Sequence, residues 1–331
     1  MADFNEMMKK LSLTKTYHTT AYPAIDPTNP ANSAAGKTVA ISGGHSGIGL
    51  AIATGFCAAG ASTVILLARR RAVLDSAAAT LRAAHANTTI WTYSLDVRDT
   101  AATAATFASI RDRLREEKGD AAADVDVLVA NAAVLDQGDV SLDFDPDVVR
   151  NSFDTNVFGN LNLARAFLAP ELPAVPKVSL LPGLPAIGAP KETAGVEAPG
   201  RAKVLIEVST AAAYVLFPGQ SVYSTSKLAS THFMRHLQGE VDRLPGMPVR
   251  VHSMHPGAIM SPGVRDLGVT DGMMPADEPE LPGSFAVWLA SPAAAFLKGR
   301  LVWAHWDVDE MMGMKKRFEE DPELCTVTMK L

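Results

Sequence analysis

Apolar residues in this chain fall into short unbroken runs separated by longer stretches of mixed polarity. Thr38-Val39-Ala40-Ile41-Ser42 is one such run. A glycine-rich turn follows, then a helix-like stretch over 50–59 that Gly60 stops, then the run Thr63-Val64-Ile65-Leu66-Leu67. Short continuous apolar runs bounded by turn residues read as strands buried on both faces. Strand, turn, helix and strand make a βαβ unit, which requires a parallel sheet. The alternation continues with helices over 72–85, 100–118, 148–168 and 221–244. Strands are expected over 89–95, 125–130, 204–208 and 249–254. Six or seven parallel strands with helices between them predict an α/β fold, a doubly wound, Rossmann-like sheet in a single domain. Ligands of such sheets lie at the carboxyl ends of the strands, so the residues just after each strand are the first place to look for chemistry.

Two segments break this rhythm. Residues 1–35 are polar, with Pro23, Pro27 and Pro30 spaced through them, and read as an extended N-terminal arm. The domain proper is expected over 36–312, with a C-terminal tail over 313–331. Inside the domain, 170–203 is an irregular, proline-rich insertion with little apolar periodicity. It precedes a strand, which assigns it to the amino edge of the sheet, away from the expected site.

Composition narrows the function. Hydrophobic residues make up 47% and charged residues 20% of the 331, ordinary for a globular chain. A net charge of −6 without a long basic run argues against nucleic acid as a partner. No apolar stretch approaches a membrane span, and residues 1–35 hold no signal-like apolar core. Cys57 and Cys325 stand far apart in no metal-like spacing, which points to a reducing compartment and a cytoplasmic protein. His232 and His236 have a spacing that zinc sites use, but no third ligand stands near them, and no metal is expected.

Gly43, Gly47 and Gly49 form a G-x-x-x-G-x-G turn between the first strand and its helix. Glycine lets backbone approach a pyrophosphate, and the helix amino terminus then faces the negative charge. An NAD site usually carries Asp or Glu after the second strand. Here that strand ends Leu67-Ala68-Arg69-Arg70-Arg71. Arginine pairs with a 2′-phosphate where a carboxylate would repel it, so Arg69 and Arg70 indicate NADP(H).

Tyr223-Ser224-Thr225-Ser226-Lys227 opens a helix, and spacing i, i+4 puts Tyr223 and Lys227 on one face. A nearby ammonium favours phenolate, so Lys227 is expected to lower the Tyr223 pKa and fit it for proton transfer to a carbonyl oxygen.

At this point the chain resembles the short-chain dehydrogenase/reductase family. Ser42-Gly43-Gly44-His45-Ser46-Gly47-Ile48-Gly49 is similar to the family's TGxxxGIG turn, with Ser42 for threonine. Leu95-Asp96-Val97 resembles its adenine-side motif, and Asn131-Ala132-Ala133 its NAG motif with alanine for the last glycine. Asn156-Val157-Phe158-Gly159 resembles the helix carrying the family's catalytic asparagine, and Tyr223 and Lys227 match YxxxK. His255-Pro256-Gly257-Ala258-Ile259 resembles its PG motif, followed by Ser261. The resemblance runs from Lys37 to about Asp309, and the arm and closing stretch resemble a fungal group of its members. It implies catalysis by Asn156, Tyr223, Lys227 and a hydroxyl after the fifth strand. The family's commonest spacing points to Thr210, whereas a one-residue-longer loop and the residue type favour Ser209. It implies cofactor contacts from Gly43, His45, Ser46, Gly47, Ile48, Gly49, Arg69, Arg70, Asp96, Val97, Asn131, Ala132, Ala133, Tyr223, Lys227, Pro256, Gly257, Ile259 and Ser261.

The expectation is an NADP(H)-dependent oxidoreductase, a ketoreductase in type. It would pass a hydride between nicotinamide and a ketone or secondary alcohol of a small, largely apolar substrate. Such a small-molecule carbonyl or alcohol is the expected partner, with no nucleic acid and no membrane, in a chain that could form a homo-oligomer. A rival reading is a non-redox isomerase or cyclase, or a regulatory NADP(H)-binding protein; the intact Tyr223 and Lys227 argue against it.

Overall fold

A computed structural model describes residues 2–138, 140–168, 201–243 and 249–327. Seven strands form one parallel sheet: β1 Thr38–Ser42, β2 Thr63–Ala68, β3 Thr89–Ser94, β4 Val127–Ala130, β5 Lys203–Val208, β6 Val249–His255 and β7 Leu301–Trp303. Their order is β3-β2-β1-β4-β5-β6-β7. The chain therefore winds outward from β1 to one side and from β4 to the other, and the crevice between β1 and β4 is the switch point. The helices are α1 Ala2–Lys10, α2 Gly47–Ala58, α3 Arg71–Ala84, α4 Thr100–Lys118, α5 Pro146–Phe153, α6 Asn160–Leu168 and α7 Ser221–Val241. Four shorter or later ones follow, α8 Pro262–Asp266, α9 Glu280–Ala290, α10 Val308–Gly313 and α11 Lys315–Glu320.

Alternate residues of each strand feed two cores. Val39, Ile41, Val64 and Leu66 pack with α2, α3 and α9, whereas Ala40, Ile65 and Leu67 pack with α4, α6 and α7. Helices cover both faces, which is why the strands are continuous apolar runs. α2 lies unusually close to α9. A Cβ on Gly55 would stand 2.7 Å from the Gly283 carbonyl oxygen, so only glycine permits the contact.

The structure departs from the sequence expectations at four places. The stretch expected as one helix over 148–168 is broken by a π-helical turn, Asp154–Gly159, that carries Asn156. The strand expected over 125–130 begins at Val127. Residues 1–35 are not an extended arm: α1 opens them, and Ile25 is fully buried. The Tyr22 hydroxyl donates to the Trp306 carbonyl (3.0 Å) and accepts from the Val308 N–H (2.9 Å). Glu310 accepts the N–H groups of Lys15 and Thr16. The tail likewise contributes α11, whose Phe318 is buried. These anchors are isolated residues in aperiodic sequence, so no hydrophobic pattern announces them.

The insertion lies outside the described residues between Leu168 and Arg201, as do Leu244 and the last four residues. Its two flanks are clamped together. Asp124 receives the Lys203 ammonium (2.6 Å) and the Arg111 guanidinium (3.1 Å), and both cations also donate to the Phe167 carbonyl.

Candidate functional site

A cleft of about 920 Å³ opens along the carboxyl ends of the strands. One end is the glycine turn. Gly43 and Gly47 have φ of +65° and +51°, a backbone conformation that side chains resist. A Cβ on Gly49 would stand 2.3 Å from the Gly43 carbonyl oxygen, so this glycine lets α2 begin directly against the turn. Ser42 and Asn131 tie the turn to the end of β4. The Ser42 hydroxyl accepts the N–H groups of Asn131 and Ala132, both at 3.0 Å, and the Asn131 amide donates to the carbonyls of Ser42 and Gly43.

The cleft wall collects most of the expected cofactor residues: Gly43, His45, Ser46, Gly47, Ile48, Arg69, Asp96, Val97, Asn131, Ala132, Ala133, Tyr223, Pro256, Gly257, Ile259 and Ser261. Gly49 lies beneath the turn rather than on its surface. Arg70 is outside the lining, at the N-cap of α3. Asp96 is held by Arg98 in a fork at 2.6 Å, and this pairing keeps its carboxyl below the usual range. Burial, with Arg70 and Arg69 adding to it, pulls the His45 imidazole below its ordinary range.

At the other end stand Tyr223, Ser209 and Thr210. The structure separates the two hydroxyls that the sequence left open. Ser209 turns inward and shares a 2.5 Å hydrogen bond with Thr231. Thr210 lines the cleft with Tyr223 and accepts from the Ala212 N–H at 3.2 Å. Residue type favoured Ser209; the commonest family spacing, thirteen residues before the tyrosine, matches Thr210.

Lys227 and Asn156 sit behind the wall, both buried. The Lys227 ammonium donates to the Val208 carbonyl (2.7 Å) and lies 3.9 Å from Glu207. The expected lowering of the Tyr223 pKa by Lys227 is absent in this state. Burial pushes the phenol up to about 12, Thr210 opposes the rise, and the Glu207 charge adds to it. The lysine charge is directed at Val208 and Glu207 instead. Asn156 sits in the π turn, accepting from the Val134 N–H (2.9 Å) and donating to the Val134 carbonyl (3.0 Å) and Ser226 (2.9 Å). Short π turns inside helices recur at functional sites.

Several cleft residues escaped sequence reasoning. Met8 and Tyr17 come from the N-terminal segment. Tyr17 stacks on His305 with ring centroids 4.4 Å apart. His305 faces Asp277 at 2.9 Å, and Asp277 accepts the Ala258 N–H at 2.7 Å. This fixes the PG loop, where a Cβ on Gly257 would stand 2.6 Å from Asp277. Glu207 had one visible signal, a carboxylate inside an otherwise apolar strand. Val264, Leu267, Met273, Met274 and Pro275 add apolar side chains to the lining at this end.

Among the described residues no group of three or more His, Cys, Asp or Glu side chains is arranged for a metal. His232 and His236 approach to 3.1 Å on an exposed face without a third ligand. Among the described residues no helix is long and apolar enough to cross a membrane.

The glycine cradle, the open start of α2 and the unpartnered buried Nδ1 of His45 fit a dinucleotide. Comparison with known proteins agrees. A family model described as short chain dehydrogenase matches residues 37–173 and 199–270. A short chain dehydrogenase/reductase of Claviceps purpurea is 36% identical, over 96% of this chain and 94% of that protein. Another, from Aspergillus novofumigatus, is 34% identical over 95% of both chains. Among solved structures, the NADP complex of Pseudomonas aeruginosa RhlG has a TM-score of 0.63 at 21% identity, covering 83% of this chain and 97% of that one.

Proposed function

The chain belongs to the short-chain dehydrogenase family, whose members are oxidoreductases that bind a nicotinamide cofactor, and within it we propose an NADP(H)-dependent reductase/dehydrogenase. Its substrate would be the ketone or secondary alcohol of a small, largely apolar molecule. The observation that carries this reading is that Tyr223 and Thr210 line the same cleft as the glycine turn.

The bound cofactor supplies or accepts the hydride. The residues that would hold it are the glycine turn, Asn131, the 256–261 loop and Arg69. The Arg69 guanidinium, with no carboxylate after β2, suits a 2′-phosphate. Tyr223 gives its phenolic proton to a carbonyl oxygen in reduction and takes it back in oxidation. Thr210 donates to the same oxygen and so holds the carbonyl carbon in place. Lys227 lies one turn from Tyr223, its ammonium held against the Val208 carbonyl and Glu207. Asn156 holds the Val134 loop against α7 and fixes the wall behind that pair. The 264–275 segment excludes water and favours apolar substituents.

The test is to follow reduced-cofactor absorbance with a panel of ketones, using NADPH and NADH side by side. Ketone-dependent oxidation of NADPH in preference to NADH supports the reading. Cofactor binding without turnover on any carbonyl or alcohol would favour a non-redox role instead.

A further inference from the structure

Glu207 is the one acidic side chain of β5, and it is fully buried. Strand alternation turns it to the α7 side of the sheet with Lys203, Leu205 and Ser209. There it meets one face of α7, where Tyr223, Lys227 and Thr231 follow each other at steps of four. Its register partner on β6 is Ser253. One carboxylate oxygen accepts from the hydroxyls of Ser253 (2.6 Å) and Thr231 (3.1 Å). The other has no hydrogen-bond partner, and the charged group facing it is the Lys227 ammonium at 3.9 Å. A buried carboxylate with an unused oxygen and a buried ammonium with N–H groups to spare each lack what the other offers.

We propose that Glu207 is a positioning residue, the buried counter-ion that keeps the Lys227 ammonium charged and anchored behind Tyr223. The proposal rests on the reading of Tyr223 and Lys227 given above. Apolar residues would satisfy strand β5 better, so a charge kept there needs a reason beyond packing. Burial drives Lys227 toward its neutral form, and the Glu207 charge opposes it. The same charge also works against ionisation of Tyr223. Glu207 therefore trades an easier phenolate for a lysine that keeps its proton more firmly than burial alone would allow. The groups around this pair are Tyr223 and Thr231 from α7, Ser209 and Thr210 just after β5, and Ser253 and His255 from β6. Asn156 adds a neutral amide from the π turn. Burial and His305 hold His255 well below its ordinary range, so it adds no charge.

The experiment uses the full chain labelled at lysine Cε with carbon-13, with Lys227 assigned by its loss in Lys227→Arg. Glu207→Gln should move the Lys227 titration to lower pH by roughly one unit or more. Glu207→Asp, which keeps the charge, should restore much of it. In turnover, the alkaline limb of the pH–rate profile should move the same way in Glu207→Gln and return in Glu207→Asp. A purely structural carboxylate would lower turnover at every pH and leave both limbs in place. If Glu207→Gln alone does not fold, the double variant Glu207→Gln/Lys227→Met should, because neither charge is then left unpaired. A Lys227 titration unmoved in folded Glu207→Gln overturns the proposal, as does a double variant no more stable than the worse single one. Absence of turnover in the unmodified protein would sink the oxidoreductase reading but not the titration, which is read without substrate.

Discussion

Ser209 and Thr210 are adjacent, both carry hydroxyls, and the structure assigns them opposite surroundings. Ser209→Ala removes a 2.5 Å hydrogen bond to Thr231, which keeps its second partner, Glu207. Net loss for one such bond is about 1 kcal/mol. In a domain of this size that lowers Tm by roughly 2–4 °C. Turnover should stay within about twofold, because that hydroxyl, although on the cleft wall, is taken up by Thr231. Thr210→Ala instead removes the cleft hydroxyl proposed to hold the substrate oxygen. Deleting one such donor costs roughly 10²–10³ in kcat. It also releases the Ala212 N–H, a capping loss of about 1 kcal/mol. The two variants should therefore cross, one losing stability and keeping activity, the other losing far more activity than stability. Thr210→Ser should recover most of the turnover. The assay is steady-state NADPH oxidation beside a thermal melt of each variant. A Ser209→Ala enzyme with turnover reduced a hundredfold beside a near-normal Thr210→Ala would refute the assignment.

Two further outcomes follow from the placement of charged side chains. Arg69→Ala should weaken NADPH by roughly 1.5–3 kcal/mol while leaving NADH nearly unchanged; equal weakening of both in a titration would remove Arg69 from the 2′-phosphate. Asp124→Asn should destabilise the fold by about 3–5 kcal/mol, since it leaves the buried Lys203 and Arg111 without their shared carboxylate. The sign of the pH dependence is fixed by the same group. Burial raises the Asp124 carboxyl, but Lys203 and Arg111 outweigh it and hold the value below the usual range. Its contribution is therefore complete above the ordinary aspartate range and is lost as pH falls through the lowered value. Urea melts at neutral and acidic pH should show that loss in the unmodified protein and not in Asp124→Asn. Equal acid sensitivity in both would place the effect elsewhere.

What the sequence disclosed and withheld has a physical pattern. Sheet and cofactor turn were legible because strands buried on both faces must be apolar, and because Gly43, Gly47 and Gly49 occupy positions that no side chain fits. Tyr223 and Lys227 were legible because one helix carries both. The orientation of Ser209 and Thr210 was not, since it depends on Thr231, twenty-two residues away, taking up one of the two hydroxyls. Tyr17, Asp277 and His305 meet only through the fold, across nearly three hundred residues of chain, and no local pattern links them. The arm misled because its anchors, Tyr22 and Ile25, are single residues in aperiodic, polar sequence around Pro23. The Tyr223 pKa misled for a different reason: spacing reports that Lys227 is near, but not that Glu207 attracts its charge.

The account turns on one proton. Tyr223→Phe deletes the phenolic oxygen and keeps the ring, so folding and NADPH affinity should survive, read by a thermal melt and a binding titration. Ketone-dependent NADPH oxidation by that variant should fall roughly 10²–10⁴-fold at neutral pH. Near-normal turnover by a folded, NADPH-binding Tyr223→Phe protein would contradict the proposed mechanism.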